Sequence, residues 1–341
     1  MNEPFYGNNL KIAVIGGGTG SFTLLSNLKE HTHLIAALVN MADDGGSTGV
    51  LRDELGALPP GDVRQCLVAL SNSAELRDLF NYRFEDGTLK GHAFGNLFLT
   101  ALEKVTGDFA KGVEVASGVL NITGTVEPIT LTNVTLAMKD KDGKEVHGEF
   151  KIGHESFSGQ RPDFWLEPKA TANPKAVAAI ERADIVVVAP GNLYGSLAPA
   201  LIVPGIGEAL AKTSAFKLYV CNLVTKPGQT DGFTVHDFAD EIERLAGRPF
   251  LDAVLYNTET PSKELLQKYA ADKELAVELD EKRVGITRYK LVGANLLSST
   301  IWQGRGADPI ASSRTLIRHD STAVAKAIID LYEHREGIGE S

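Results

Sequence analysis

The sequence predicts an α/β fold in which a mainly parallel sheet carries helices on both faces. Short apolar runs typical of buried strands alternate with segments of helical periodicity. A cluster of glycines follows the first apolar run, and small polar residues follow the next three. Ligands of open α/β sheets bind beyond the carboxyl ends of the strands, so we expect these loops to converge on one site.

The individual elements follow from hydrophobic period and from turn residues. Buried strands are predicted over 11–15, 34–39, 184–189, 215–221 and 251–256. Helices are predicted over 20–29, 60–70, 74–84, 96–105, 174–182, 234–246, 262–270 and 321–334. Strands separated by helices in this way form parallel pairs through right-handed crossovers.

One segment breaks the alternation. Residues 119–155 begin with a stretch rich in Thr, Val and Ile, and Asp142-Gly143 lies between two alternating runs, as in a hairpin turn. We predict an inserted antiparallel β element, which either covers the site as a flap or packs on the edge of the sheet. Residues 293–313 are predicted to form a long loop. The chain 1–341 is predicted to be a single domain that contains the insertion.

Composition limits the partners. The chain has 341 residues, of which 43% are hydrophobic, enough for a buried core. Its net charge of −10 argues against charge-driven binding to nucleic acid or to an anionic membrane. Two cysteines, no signal-like start and no apolar run of ~18 residues favour a cytoplasmic protein without membrane insertion. A homodimer is the expected oligomer.

The glycine cluster predicts a phosphate-binding turn, because backbone without Cβ atoms can approach an anion and the next helix points its N–H groups at it. No lysine follows Gly20, which excludes a Walker A loop. Ser21 replaces the third glycine of a dinucleotide fingerprint and the second strand ends in Asn40, so a nicotinamide cofactor is only an outside alternative. The predicted phosphate-binding residues of this turn are Gly17, Gly18, Thr19 and Gly20.

Polar residues of the later loops are candidates for the rest of the ligand. Asn40 follows the second strand, and Gly191 with Asn192 follows the third. Lys226, after the fourth, offers the compact positive charge that phosphates need. Asn96 opens a helix, where it adds a donor to the ligand or caps that helix.

Three acids are candidates for chemistry. Asp43 and Asp44 are followed by glycines and could hold a hydrated Mg²⁺ or orient a substrate hydroxyl; two solvated acids in a turn are the alternative. Asp62 is a weaker candidate for a metal ligand or base, with helix capping as its alternative. If the protein is an enzyme, these three are its predicted catalytic residues, and Asp43 and Asp44 its magnesium ligands.

Taken together, the motifs resemble those of the YvcK family, the bacterial gluconeogenesis factors, and more distantly CofD, the 2-phospho-L-lactate transferase of coenzyme F420 synthesis. The resemblance covers nearly the whole chain. The motifs that carry it are Ile15-Gly-Gly-Gly-Thr-Gly, Asn40-Met-Ala-Asp-Asp-Gly-Gly-Ser-Thr-Gly, Leu58-Pro-Pro-Gly-Asp-Val-Arg, Gly95-Asn-Leu-Phe-Leu, Ala189-Pro-Gly-Asn-Leu-Tyr-Gly-Ser, Thr225-Lys-Pro-Gly-Gln-Thr and Ile317-Arg-His-Asp.

The resemblance implies a Rossmann-like three-layer fold and a cytoplasmic regulator of carbon metabolism, cell-wall precursor supply and cell shape during gluconeogenic growth. It further implies binding of a UDP-sugar such as UDP-N-acetylglucosamine and a possible regulatory protein partner. The family's UDP-sugar site is linked to a tyrosine and an arginine, matched here by Tyr269 and Arg318, with Tyr256 as a rival for the tyrosine.

The alternative function is a CofD-like, Mg²⁺-dependent transferase that moves a phosphate-linked group from a nucleotide diphosphate donor. The sequence departs from CofD at two loops, Asp43-Asp-Gly-Gly-Ser and Pro190-Gly-Asn-Leu-Tyr, both of which are closer to the YvcK form. Whether the protein is an enzyme therefore stays open at this point, because a shared fold does not fix a reaction.

Overall fold

The computed structural model describes residues 9–157, 159–262, 273–298 and 318–335. The strands it contains are, in chain order, β1 (Ile12–Gly16), β2 (Ile35–Val39), β3 (Thr125–Pro128), β4 (Thr135–Lys139), β5 (Glu145–His147), β6 (Asp163–Glu167), β7 (Ile185–Val188), β8 (Phe216–Val220), β9 (Ala253–Asn257) and β10 (Lys290–Ala294). Seven of them form one sheet in the order β10-β9-β8-β7-β1-β2-β3, and every described pair in it is parallel.

This strand order is that of a Rossmann fold extended by one strand. Strand β1 lies between β2 and β7, so the chain builds the sheet outward in one direction from β1 and then in the other from β7. All residues of β1 and β7 are buried, as expected for strands covered on both faces. The predicted α/β fold with a mainly parallel sheet is confirmed, and the crevice of such a fold lies beyond the carboxyl ends of β1 and β7.

The helices form the outer layers. Helix α1 packs against both α3 and α12, while α8, α10, α9 and α11 form a second group in which each helix contacts the next. A π-helical turn (Leu193–Leu197) precedes α9, and a 3₁₀ turn spans Glu281–Arg283. The described helices are α1 (Gly18–Leu28), α2 (Gly46–Leu55), α3 (Pro60–Leu70), α4 (Ala74–Asn81), α5 (Phe94–Thr106), α6 (Phe109–Val119), α7 (Glu149–Ile152), α8 (Pro174–Arg182), α9 (Ala198–Leu201), α10 (Ile206–Lys212), α11 (Val235–Leu245) and α12 (Ser321–Glu333).

Helix ends follow ordinary capping chemistry. Thr234 accepts a hydrogen bond from the Asp237 N–H while Asp237 bonds back to Thr234, which is the capping box of α11. Asp320 accepts from two N–H groups at the start of α12. Gly56 and Gly107 end α2 and α5 with φ of +60° and +71°, a conformation that favours glycine.

The antiparallel element is a separate sheet of three strands in the order β5-β4-β6. Its hairpin turns at Asp142-Gly143 as predicted: the Asp140 N–H donates to the Lys144 carbonyl over 3.0 Å, and Gly143 has φ of +87°. The bounds of this sheet differ from the predicted 119–155. Strand β3, inside that range, is the edge strand of the main sheet, and β6 of the antiparallel sheet lies beyond residue 155. Hydrophobic period identifies a strand but does not say which sheet it joins.

Other elements were not predicted. Helix α2 has a glycine-rich start that reads as a loop, and it forms because Thr48 and Leu51 are buried. Strand β10 overlaps the start of the predicted loop 293–313, whose residues from 299 onward lie outside the described ranges. The predicted helix 262–270 likewise lies outside them from residue 263 onward.

The hydrophobic core lies on both faces of the main sheet and contains Tyr194, Tyr219, Phe80 and Phe238 as its largest fully buried side chains. Within the described ranges, no single helix is long and apolar enough to cross a bilayer. One bent pair, 193–201 with 206–212, meets the criteria of length and composition, and most of its residues are buried in the core.

Candidate functional site

The loops that follow β1, β2, β7 and β8 meet at one end of the sheet, as the sequence predicts. A Cβ atom on Gly20 would lie 1.7 Å from the Pro190 carbonyl oxygen, so the first and third of these loops are in direct contact. The Asn222 amide donates to the Gly191 carbonyl over 2.8 Å, which joins the third loop to the fourth. These contacts bring the loops together around a single crevice at the point where the strand order reverses.

The glycine turn places the start of α1 at this crevice. Gly18, at φ of +64°, is the first residue of α1, and the N-cap residue Gly17 has no side chain that could cap the helix. The Gly18 N–H donates to the Asp62 carboxylate. A Cβ on Gly17 would lie 2.2 Å from Asp62 Oδ2, so glycine is required here for the carboxylate to approach. The positive end of α1 therefore already faces an anionic group of the protein itself.

Asp62 does not cap α3, which was the alternative role for it. Pro59 is the N-cap residue, and the Asp62 side chain turns inward, where it is only 8% exposed. Its side-chain partner is the Asn40 amide, 3.5 Å from Oδ2. Burial and, next, the negative charge of Asp43 raise the pKa of Asp62 to about 7. A buried carboxyl group with a pKa near neutrality is typical of functional sites.

Asp43 and Asp44 are not two solvated acids in a turn. Asp43 Oδ1 accepts from the Gly45 N–H over 3.0 Å, and a Cβ on Gly61 would lie 2.6 Å from Oδ2. Burial raises the pKa of Asp43, against the effect of its hydrogen bonds to Gly45 and Thr48. Asp44 Oδ1 accepts from the Phe150 N–H over 2.7 Å. Asp43 thus faces α3, while Asp44 holds α7.

Glu149, the first residue of α7, is an acid that the sequence interpretation missed. Its Oε1 would lie 2.2 Å from a Cβ on Gly195, which places the carboxyl group against the π-helical turn after β7. Burial, followed by the charges of Asp43 and Asp62, raises the pKa of Glu149 to about 8. No local motif marks this residue, because its place in the site depends on how the antiparallel insertion folds back.

Helix α7 covers the crevice, which favours the flap over the edge-packing alternative for the insertion. One side of α7 is held by the hydrogen bond from the Phe150 N–H to Asp44. On the other side, Gln229 Nε2 donates to the Ile152 carbonyl over 2.8 Å. Lys226 lies beside that attachment, with Nζ 3.8 Å from the position of a Cβ on Gly153. Burial lowers the pKa of Lys226, and the charge of Glu149 opposes this shift.

Asn40, Asn192 and Asn96 all have protein partners. The Asn40 amide lies 3.4 Å from the Gly195 carbonyl, and Asn192 Oδ1 accepts from the Gly195 N–H over 3.2 Å, so both hold the π-helical turn. Asn96 accepts from Arg64 Nε over 3.0 Å and donates to Ser47 Oγ over 3.3 Å, so it joins α5 to α3 and α2. Its described contacts are thus with the neighbouring helices.

Of the tyrosine and arginine candidates, Tyr256 and Arg318 lie toward the β8–β10 side. Tyr269 is outside the described residues. Its rival Tyr256 is near the end of β9, where a Cβ on Gly293 would lie 3.0 Å from its hydroxyl. The Arg318 carbonyl accepts from the Ser298 N–H, and the next residue, His319, is 3.1 Å from the Cys221 carbonyl just after β8. Arg318 is therefore at the same end of the sheet as the glycine turn.

The carboxylates of the crevice suit magnesium only when a phosphate shares the ion. Among the described residues, no three His, Cys, Asp or Glu side chains are grouped so that they could hold a metal ion by themselves. Magnesium beside phosphates needs only one or two carboxylates, since phosphate oxygens and water complete its octahedron. Asp43, Asp44 and Asp62 offer oxygen donors of the right kind for that shared mode of binding.

Residues 12–297 match the family described as 2-phospho-L-lactate transferase CofD. The chain belongs to the CofD family. A relative from Clostridium acetobutylicum is 41% identical over 324 residues, which are 94% of this chain and 69% of the relative. A relative from Bacillus subtilis, named gluconeogenesis factor, is 38% identical over 329 residues, 95% of this chain and 99% of the relative.

A solved structure supports the same assignment. The crystal structure of a UPF0052-family protein from Bacillus halodurans superimposes with a TM-score of 0.84 and is 37% identical in sequence. The match covers 94% of this chain and 99% of that protein. The resemblance to the YvcK-type gluconeogenesis factors and to CofD is thereby confirmed.

Proposed function

We propose that this CofD-family protein is a nucleotide-sugar-binding regulator of carbon metabolism. It takes a UDP-sugar such as UDP-N-acetylglucosamine into the crevice and signals the bound state to a partner protein in the cytoplasm. Through that partner it adjusts cell-wall precursor supply and cell shape during gluconeogenic growth, acting as a homodimer. The gluconeogenesis-factor name of the Bacillus subtilis relative supports the metabolic role.

The observation that carries the proposal is the convergence of the glycine turn with three polar loops at one crevice. The N–H groups of Thr19 and Gly20, next to the Gly18 N–H that bonds Asp62, would hold a phosphate, because the N-cap residue Gly17 has no side chain to cap them. Lys226 and Asn192 line the same crevice from the loops after β8 and β7. In this proposal Tyr269 and Arg318 bind the nucleoside side of the ligand.

Charge sets a condition on binding. Asp43, Asp44, Asp62 and Glu149 interact electrostatically in the crevice, with Lys226 opposing them at Glu149. A diphosphate adds further negative charge, so it binds when some of these carboxyl groups keep their protons or when Mg²⁺ accompanies it. When bound, Mg²⁺ would neutralise the diphosphate beside Asp43 and Asp44.

Isothermal titration of the purified chain with UDP-N-acetylglucosamine, with and without Mg²⁺, tests the proposal. We expect heat of binding in the wild type and a loss of affinity of about tenfold or more in Lys226→Met, because a charge-assisted contact to phosphate is lost. Lys139→Met is the matched control, since Lys139 is an exposed residue of β4 that pairs with Glu145. Absence of both heat and thermal shift at millimolar ligand would contradict the proposal.

A second candidate, a CofD-like transferase, is favoured by the pKa of about 7 at Asp62. A carboxylate with this pKa can act as a general base near neutral pH. In that reaction an acceptor hydroxyl oxygen attacks the β-phosphorus of the donor, its proton passes to Asp62, and a nucleoside monophosphate leaves. ³¹P NMR with Mg²⁺, donor and acceptor would detect the monophosphate, and both Asp62→Asn and Asp44→Asn should abolish its release.

A further inference from the structure

Helix α7 presents its side chains to three different surroundings. Ile152 is fully buried in the core, whereas Phe150 is 51% exposed and its ring packs on His154, with ring centroids 4.5 Å apart. Lys151 is exposed. Glu149 alone is turned toward the crevice, against the main chain of Gly195. It is therefore the side chain through which α7 can contact a bound molecule.

The carboxyl group of Glu149 does not hold α7 in place. The helix is fastened through main-chain atoms, namely the Phe150 N–H that donates to Asp44 and the Ile152 carbonyl that accepts from Gln229. Glu149 itself makes no side-chain hydrogen bond and no ion pair with any described residue. Its oxygens are therefore available to accept hydrogen bonds from a molecule bound in the crevice.

Its position relative to the rest of the crevice indicates which part of a ligand it meets. The glycine turn follows β1, and Arg318 lies toward β8 and β10, on one side of that turn. Asp44, to which α7 is attached, follows β2 on the other side, and the Glu149 carboxyl group lies between the acids of the crevice and the Gly195 main chain after β7. A molecule whose diphosphate lies at the start of α1 and whose nucleoside extends toward Arg318 directs its remaining group toward Glu149.

We propose that Glu149 determines specificity for the group attached to the diphosphate, by accepting hydrogen bonds from the hydroxyl groups of a sugar. The inference rests on the proposed function and adds to it the residue that distinguishes a nucleotide sugar from the bare nucleotide. Sugar hydroxyl groups are suitable donors for a carboxyl oxygen in either protonation state, whereas an ionised diphosphate offers this oxygen no donor.

The test compares the affinities of UDP and UDP-N-acetylglucosamine, measured calorimetrically at the same Mg²⁺ concentration. The wild type should bind UDP-N-acetylglucosamine more tightly than UDP, and this increase in affinity is the contribution of the sugar. At pH 7, where Glu149 is mainly protonated, Glu149→Ala should reduce that increase by up to roughly tenfold, the range for a hydrogen bond to an uncharged group, and change UDP affinity less than threefold. Glu149→Gln keeps an acceptor oxygen and should restore part of the increase. Glu145→Ala, in the exposed strand β5, is the matched control and should behave as wild type.

The outcomes separate this inference from the proposed function. If the wild type binds neither molecule, the proposed function fails. If the wild type binds both equally, or if Glu149→Ala weakens both by the same factor, nucleotide binding stands and the role of Glu149 in sugar recognition is wrong. Equal thermal unfolding temperatures of Glu149→Ala and Glu145→Ala would exclude a folding defect as the cause.

Discussion

Two groups of buried carboxylates in this protein have opposite surroundings. On α11, Glu241 is fully buried and receives two hydrogen bonds from Arg244, of 2.7 and 2.6 Å, with Arg161 3.8 Å away. At the crevice, Asp62 is almost as buried but has a neutral amide as its side-chain partner. The first carboxylate is compensated by cations, and the second is held near the charges of Asp43 and Glu149.

The difference separates a structural use of charge from a functional one. A paired buried carboxylate stays ionised and fixes neighbouring elements, although it adds little net stability. A carboxylate buried without a cation costs free energy and has a raised pKa, an arrangement found mainly at sites that bind or react. The crevice is thus the place where the fold gives up stability.

The largest expected effect is on the paired group. Arg244→Met leaves the charge of Glu241 buried beside one distant arginine, and we expect a loss of about 3 kcal/mol in the free energy of unfolding, measured by urea denaturation. The control is Arg248→Met, because Arg248 pairs with Glu208 and both side chains are more than one-third exposed, 38% and 49%. Arg248→Met should lower the free energy of unfolding by less than ~1 kcal/mol. Equal losses in the two variants would remove the contrast between buried and exposed pairs.

Removing a carboxylate from the crevice should instead stabilise the protein. Asp62→Asn should increase the free energy of unfolding by about 2 kcal/mol at pH 8 in buffer with EDTA, because the amide has no charge to desolvate. Native Asp62 keeps its proton up to a pH of about 7, whereas the unfolded chain releases it near pH 4, so the wild type loses stability as pH rises through this window. The difference in stability between Asp62→Asn and the wild type should therefore be near zero at pH 4. Asp53→Asn on the exposed side of α2 should show no such trend.

The smallest effect concerns the second arginine near Glu241. Arg161 is 3.8 Å from this carboxylate and its side chain is 37% exposed, so Arg161→Met should cost only about 0.5–1 kcal/mol. The thermal unfolding temperatures of this variant and of Arg244→Met would show which of the two arginines contributes more to stability. A loss as large as that of Arg244→Met would mean that the carboxylate is shared equally and that the pairing is a network.

Much of the fold could be predicted because buried parallel strands have a clear signature. The apolar runs of β1, β2, β7, β8 and β9 are buried and bounded by turn residues. Their carboxyl ends share one edge, which is why the loops after β1, β2, β7 and β8 could be assigned to one crevice from the sequence. Strands β3 and β10 escaped prediction because short edge strands contain exposed residues and lack a continuous apolar run.

The site was less predictable because its key contacts join residues distant in sequence. Asp62 follows Pro-Pro-Gly and reads as a helix cap, and only the packing of α3 on α1 turns it toward the glycine turn. Glu149 enters through the insertion, 106 residues after Asp43. Glu241 and Arg244, at i and i+3 on α11, read as an exposed pair, yet Glu241 is fully buried.

The contact between Gly20 and Pro190 has a consequence for ligand exchange. With only 1.7 Å between a Cβ on Gly20 and the Pro190 oxygen, the backbones after β1 and β7 touch, and any larger residue would force them apart. Gly20 lies in the first turn of α1 and Pro190 lies just after β7, so this wall of the crevice is closely packed. Helix α7 is fastened instead by single hydrogen bonds to Asp44 and Gln229, so we expect its displacement to be the less costly route for ligand entry and release.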